Sequence, residues 1–326
     1  MAATGGMAVV LAGAAVNAAF AVPMRFMRRW TFEHIWLAYS ALALIVFPCA
    51  LGFATVPHLI EVIFQSEEMA VLLFGLGLCW GVGQICFGKA LHSLGISLAT
   101  AIMLGIAIAL GSALPLLVLK GNLEVMKWLL TLAMSVVGVL LCTGAANSRR
   151  CSDLPQDGLW FSVAAGIGAG LFNVAVAVGS PISANALRQG VRPEFAQMAA
   201  WLPFLVGGAI PNIAYCARKL MLNRTTALLY APGTLNYWAA ALLMAICWLG
   251  SSLLYGFGAT RMGEAGLSFA YPIYISSIVL NTTLLGVVVG EWRGSSQRSK
   301  VLLQAGLVLL VASIWLAAHV RHAFAI

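Results

Sequence analysis

The sequence predicts an all-α membrane protein of ten transmembrane helices, arranged as two inverted five-helix repeats, residues 1–150 and 151–326. Three observations predict it. Of 326 residues, 62% are hydrophobic and 9% charged, against roughly 25% charged in an ordinary soluble domain. So few ionisable groups cannot coat a soluble particle, whereas a bilayer removes the need for a polar coat over most of the surface. Charges, Pro and Gly also divide the chain into ten apolar stretches, each close to the ~20 residues a helix needs to cross ~30 Å of hydrocarbon. Finally, text from the first half returns in the second, in order.

The stretches cover approximately 5–24, 34–54, 69–90, 96–119, 127–146, 158–180, 195–217, 237–259, 266–290 and 301–320. Helices are expected throughout, because an open strand cannot satisfy its backbone in lipid. The first has no basic residue before it and Arg25, Arg28 and Arg29 after it. That reverses the charge order of a secretory signal, so the stretch is expected to be kept as a span. In the third, Gly77 and Gly81 have the small-xxx-small spacing of close helix packing. Pro23, Pro48, Pro115, Pro203 and Pro211 fit either kinks or span ends. The ninth is the most polar, with Ser268, Tyr271, Tyr274, Ser276, Ser277, Asn281, Thr282 and Thr283, and Pro272 is expected to break its backbone ladder near the start.

Net charge is +8, but the basic residues come in twos and threes between apolar stretches, with no contiguous face for nucleic acid. They read as topology determinants. With ten spans both termini share a side; that side carries six Lys and Arg in its loops and the other carries twelve. The excess places the termini away from the cytoplasm. Seven cysteines are scattered without CxxC or alternating Cys/His spacing, so neither disulfides, a metal site nor a cofactor is expected.

The repeat is seen where Cys79-Trp80 precedes Phe87-Gly88 and, at an offset of 168, Cys247-Trp248 precedes Tyr255-Gly256. Gly95-Ile96-Ser97-Leu98-Ala99 answers Gly266-Leu267-Ser268-Phe269-Ala270, and the text from Asn17 to Val22 resembles that from Asn173 to Val178. A unit of five spans is odd, so the second copy must sit upside down. Inverted duplication is the architecture of many secondary transporters, with substrate held near the midplane between the halves. A pseudo-symmetric bundle with no transport role is the plainer alternative.

Polar groups inside spans cost free energy unless they find partners or line water. Asn17 and Asn173 lie near the middle of spans one and six, where each serves either as interhelical glue or as part of a site. Trp80, Gln84 and Phe87 stand at i, i+4 and i+7, as do Trp248, Ser252 and Tyr255, so each trio shares a helix face. Rings can cover the C–H patches of a sugar while amide and hydroxyl groups meet its hydroxyls; core packing is the alternative. With Tyr271, Tyr274 and Asn281 these residues form the candidate substrate site. Asp, Glu, Lys and Arg are absent from the depths of the spans. Lys89 lies at a span end, and Glu33, Glu291 and His319 are the peripheral candidates for a proton-coupling role.

The run from Phe20 to Trp36, FAVPMRFMRRWTFEHIW, resembles the junction of spans one and two in the bacterial L-rhamnose/proton symporter family of the drug/metabolite transporter superfamily. Leu73-Phe74-Gly75, Trp80 to Gln84, Phe87-Gly88, Leu94 to Ser97 and Gly286 to Trp292 are similar to that family too, and the likeness runs nearly end to end. The resemblance implies a ten-helix carrier in the bacterial inner membrane that imports a 6-deoxyhexose, L-rhamnose first, together with a proton by alternating access. One departure is that family members carry an acid at the start of span nine, where this chain has Leu267-Ser268 and Glu264 lies outside. Export, or carriage of another small polar metabolite, is the alternative. An intramembrane enzyme is a remote one, since no buried acid pair, HExxH or mid-span His occurs in the sequence.

Overall fold

The computed structural model describes residues 2–111, 122–149, 156–288, 290 and 292–319. Its helices, in chain order, are α1 (Ala2–Ala19), α2 (Phe32–Thr55), α3 (Leu59–Phe64), α4 (Glu67–Leu94), α5 (Ile96–Gly111), α6 (Asn122–Arg149), α7 (Gln156–Val178), α8 (Ser180–Arg188), α9 (Pro193–Leu222), α10 (Leu235–Arg261), α11 (Glu264–Val288) and α12 (Gln297–His319). No strand occurs among the described residues. Eight of the described helical segments are long and apolar enough to cross a membrane, and α6 adds a shorter apolar stretch, Leu129–Ala145. The protein is an all-helical, multi-pass integral membrane protein.

Helix ends overshoot the apolar stretches by a few residues. A helix does not stop where hydrocarbon stops: Glu67 and Glu68 open α4, where carboxylates meet the positive end of the helix dipole. The short helices α3 and α8 lie between spans and carry no apolar stretch long enough to announce them. Residues 112–119 of the fourth expected span, and Glu291, fall outside the described residues.

Two prolines act differently from one another. In α2 the turn Leu42–Val46 widens to π geometry, and the Phe47 N–H closes it on the Leu42 carbonyl immediately before Pro48, which has no N–H to give. In α11 the helix continues through Pro272, so the rung removed by proline's missing N–H does not end it.

The central contact joins α4 to α9 with backbones nearly touching. A Cβ on Gly77 would meet the Phe204 carbonyl oxygen, and one on Gly81 the Gly208 carbonyl oxygen. This is the close packing that the small-xxx-small spacing implies. Beside it, fully buried Asn212 accepts from Trp36 Nε1 at 2.8 Å and donates to the Gly208 and Gly81 carbonyls at 2.8 and 3.0 Å. One amide thereby ties α2, α4 and α9 together.

Paired contacts fix the helix directions. Trp80 packs on Phe204 at 5.1 Å, while Lys89 lies over the Tyr215 ring at 4.8 Å, so α4 and α9 run parallel. Phe172 lies 6.3 Å from Trp80 and Phe161 4.8 Å from Lys89, so α7 runs against them. Gly6 abuts Gly258 and Asn17 bonds Ser251, so α1 and α10 are antiparallel.

Candidate functional site

A chamber lies where α1, α4, α5, α7, α10 and α11 meet. Its cavity volume is about 100 Å³. From α4, helical spacing turns Trp80, Gln84 and Phe87 onto it, and from α10 it turns Trp248, Ser252 and Tyr255. Asn17 enters from α1, and Tyr271 and Tyr274 enter from α11. The two trios, 168 positions apart, therefore line one space.

The polar wall is built on a three-way hydrogen bond. Asn17 Nδ2 donates to Ser251 Oγ at 2.7 Å and to Tyr274 Oη at 3.2 Å, and those two hydroxyls lie 2.9 Å apart. Both amide hydrogens of Asn17 are thereby used to tie α1 to α10 and α11; its Oδ1 takes no donor among the described residues and remains an acceptor. Ser252 Oγ donates to the Trp248 carbonyl one turn back at 3.1 Å, keeping its own acceptor capacity. Gln84, only 9% exposed, has no hydrogen-bonding partner among the described residues, and neither do the Tyr255 and Tyr271 hydroxyls. An amide or hydroxyl shielded from bulk water and left without a protein partner is costly unless the chamber's contents supply one.

The lining from α5 and α7 is mostly apolar. Ile96, Met103 and Leu104 of α5 and Ala169 and Phe172 of α7 line the chamber, with the Thr100 hydroxyl as the one polar group among them. Sequence reading passed over these residues because nothing distinguishes a chamber-lining Met or Phe from a lipid-facing one; the three-residue step from Ala169 to Phe172 was the one available signal. Asn281 does not line the chamber, since its Nδ2 turns back to the Ser277 carbonyl at 2.8 Å. Asn173 sits on α7, with its side chain outside the described residues.

At one end the chamber meets a wider vestibule of about 880 Å³, and Ala21 and Ile96 line both. Charges gather there: Arg25, Arg28, Glu33, Lys89, His92 and Asp157. Lys89 is held between the Phe161 and Tyr215 rings, 4.8 Å from each centroid. At the other end Trp80, Phe172, Trp201 and Phe204 interlock, with Phe172 5.8 Å from Trp201 and 5.6 Å from Phe204. Of the expected coupling residues, Glu33 lines the vestibule. His319 ends α12 with its side chain outside the described residues, as is all of Glu291.

Apolar helices around a partly polar chamber that meets a charged vestibule are the arrangement of a membrane transporter. A family model described as L-rhamnose-proton symport protein matches residues 1–321, and the chain belongs to that family. An L-rhamnose-proton symporter of Escherichia coli O1:K1 / APEC is 25% identical over 324 residues, covering 93% of this chain and 94% of that one. The L-rhamnose-proton symporter of Escherichia coli (strain SMS-3-5 / SECEC) matches to the same extent. A protein of known crystal structure superposes over 99% of both chains with a TM-score of 0.60 at 15% identity, a likeness of fold alone.

Proposed function

We propose that this protein imports L-rhamnose, or a related 6-deoxyhexose, together with a proton by alternating access, with the chamber as the sugar site. The observation that carries this reading is the Gln84 amide, without a hydrogen-bonding partner among the described residues, which lines the chamber with Tyr255 and Tyr271 and with a mostly apolar contribution from α5 and α7. A 6-deoxyhexose has that same division, hydroxyls on most of the ring and a methyl group in place of the last one. Trp80, Phe87 and Trp248 supply ring faces and Asn17, Gln84, Ser252, Tyr255, Tyr271 and Tyr274 the polar contacts; Asn173 belongs to the site assigned from sequence, and Asn281, turned to the Ser277 carbonyl, stands outside it. Family membership supports the same substrate and coupling.

The architecture we infer is ten spans in two inverted halves, residues 1–150 and 151–326. Three observations support it. Repeat partners α1 and α7 run oppositely, one ending at the vestibule near Arg25 and the other starting there near Asp157. The pairing of α4 with α7 is matched by that of α10 with α1, and α5 with α7 by α11 with α1. The vestibule opens beside Arg25, Arg28 and Lys89, on the side richer in Lys and Arg. On that count the chamber faces the cytoplasm, the termini face away, and the bilayer is the bacterial inner membrane.

The test is uptake of labelled L-rhamnose into proteoliposomes under an imposed pH gradient, with fucose, lyxose and mannose as competitors. Accumulation that collapses with the gradient and is weakened by Gln84→Ala is expected. Accumulation indifferent to the gradient would overturn the coupling, and wild-type uptake by Gln84→Ala would overturn the site.

A further inference from the structure

His34 is fully buried at the start of α2, beside the vestibule, and every polar atom of its ring is engaged. Its Nδ1 receives the Thr31 backbone N–H at 3.3 Å and lies 2.9 Å from Thr31 Oγ1, while Nε2 lies 2.9 Å from the Thr225 carbonyl. A carbonyl only accepts, so Nε2 carries a hydrogen, and an Nδ1 that accepts from a backbone amide carries none: the ring drawn by these partners is the neutral Nε2–H tautomer. His34 here fills the third helical position of a capping box, a place usually held by Glu or Gln. Thr31 Oγ1 in turn donates to Glu33 Oε2 at 2.8 Å, and Glu33 lines the vestibule. Glu33, the Thr31 hydroxyl and the buried imidazole thus stand in a row of close contacts from the vestibule inward; the single Thr31 hydrogen serves either Glu33 or Nδ1, so the row is hydrogen-bonded throughout only when Nδ1 also carries a hydrogen.

We propose that His34 is the group that holds the transported proton on the vestibule side and releases it through Thr31 and Glu33. This rests on the symport reading of the chamber. In the charged state Nδ1–H points at Thr31 Oγ1, whose own hydrogen is committed to Glu33. On release the Nδ1–H bond breaks as an O–H bond forms on Thr31, the original Thr31 hydrogen passes to the Glu33 carboxylate, and the carboxylic acid gives it to water. One proton leaves, and the ring returns to the neutral tautomer.

Opposing terms balance the two states. Charging the ring takes away the acceptor of the Thr31 N–H and puts a cation at the positive end of α2. Against this stand the Glu33 carboxylate, reached through Thr31, and a stronger, charge-assisted bond to the Thr225 carbonyl. Around the ring, Trp30 stacks at 6.1 Å, Arg29 is turned to the Pro232 carbonyl, Arg224 adjoins Thr225, and Lys89 on α4 faces the vestibule in its aromatic clamp. Glu33 is therefore the carboxylate coupled to the ring, with cations on the surrounding elements.

The position also connects to transport. Thr225 lies in the link between α9 and α10, so the Nε2 bond joins the first half of the chain to the second. Further along α2, Tyr39 packs 5.8 Å from Phe20, a wall residue of the chamber. A change in the α2 cap is thus one helix away from the sugar.

The test is imidazole nitrogen NMR on the full-length protein in nanodiscs, with the His34 signals assigned by difference from His34→Gln. The expected result is a ring with Nε2–H and a bare Nδ1 at alkaline pH that gains the Nδ1 proton on acidification. In Glu33→Gln the ratio of charged to neutral ring at one chosen pH should fall about tenfold. A ring that stays neutral throughout, one protonated on Nδ1 at alkaline pH, or a ratio unmoved by Glu33→Gln would each overturn the proposal. This readout needs no sugar, so it stands or falls separately from the rhamnose assignment. In proteoliposomes, varying the vestibule-side pH should give wild-type uptake an inflection that His34→Gln lacks; an identical profile in the two proteins would sink the coupling role.

Discussion

The indole rings of Trp80 and Trp248, 168 positions apart in the sequence, lie 5.8 Å apart with planes inclined by 37°. Their environments differ. Trp80 is 2% exposed and wedged against Phe204 and Phe172, whereas Trp248, which also lines the chamber, is half-buried. Trp80→Ala should therefore act on stability, lowering it by about 3–5 kcal/mol as in other large-to-small core changes. Trp248→Ala should act mainly on affinity, raising the apparent KM for sugar about fivefold, equivalent to ~1 kcal/mol of lost ring contact. Thermal melting in detergent and uptake kinetics read the two effects; the reverse assignment would show that Trp248 is the packing residue.

Asn17, Ser251 and Tyr274 form a closed triangle, so removing one corner leaves the other two bonded to each other. Tyr274→Phe leaves the 2.7 Å bond from Asn17 to Ser251 in place. It should cost about 1 kcal/mol of stability and raise the apparent KM several-fold. Asn17→Ala leaves the Ser251 and Tyr274 hydroxyls 2.9 Å apart and still paired. It should give a folded carrier with weaker sugar binding. Unchanged sugar kinetics in both variants, with the expected drop in melting temperature, would reduce the triangle to glue.

The spans were legible because hydrocarbon enforces one rule over some twenty consecutive residues, and local detail cannot reverse it. Six of the chamber's polar and aromatic residues were legible for a related reason: Trp80, Gln84, Phe87, Trp248, Ser252 and Tyr255 repeat at helical spacing, and a face that is both polar and aromatic is conspicuous in apolar text. The apolar wall was not, because Met103 and Phe172 look the same facing sugar or lipid. His34 was hidden for a different reason. Its position at a span mouth suggests an interfacial residue, and only the fold brings the Thr225 carbonyl from 191 positions away onto Nε2. Asn212 could have been noticed as a mid-span amide one residue after Pro211, but its partners Trp36 and Gly81 lie on other helices.

That amide supports a double-mutant test. Asn212→Leu leaves Trp36 Nε1–H and the Gly81 carbonyl buried without it, and should destabilise by about 2–3 kcal/mol. Trp36→Phe deletes the stranded donor along with its ring-sized neighbour. Combined with Asn212→Leu it should therefore cost at least ~1 kcal/mol less than the sum of the single changes. Strict additivity in chemical or thermal unfolding would show that the 2.8 Å bond contributes nothing of its own.

The backbone contact between α4 and α9 separates steric need from helix propensity. Ala is the better helix former by about 1 kcal/mol, so a Gly→Ala change in open surroundings should be neutral or stabilising. Gly75 is such a position, with no atom within 4 Å of where its Cβ would stand. At Gly77 and Gly81 the same methyl group would run into the Phe204 and Gly208 carbonyls, backbone atoms that cannot rotate away. Relief requires α4 and α9 to separate, which would also loosen the Asn212 bonds between them. Gly77→Ala and Gly81→Ala should each lose about 2–4 kcal/mol, seen as aggregation on size-exclusion chromatography or a melting temperature well below that of Gly75→Ala. If all three variants behave alike, the two helices stand further apart in the membrane, and the far end of the chamber is looser than the Trp80–Phe204 contact implies.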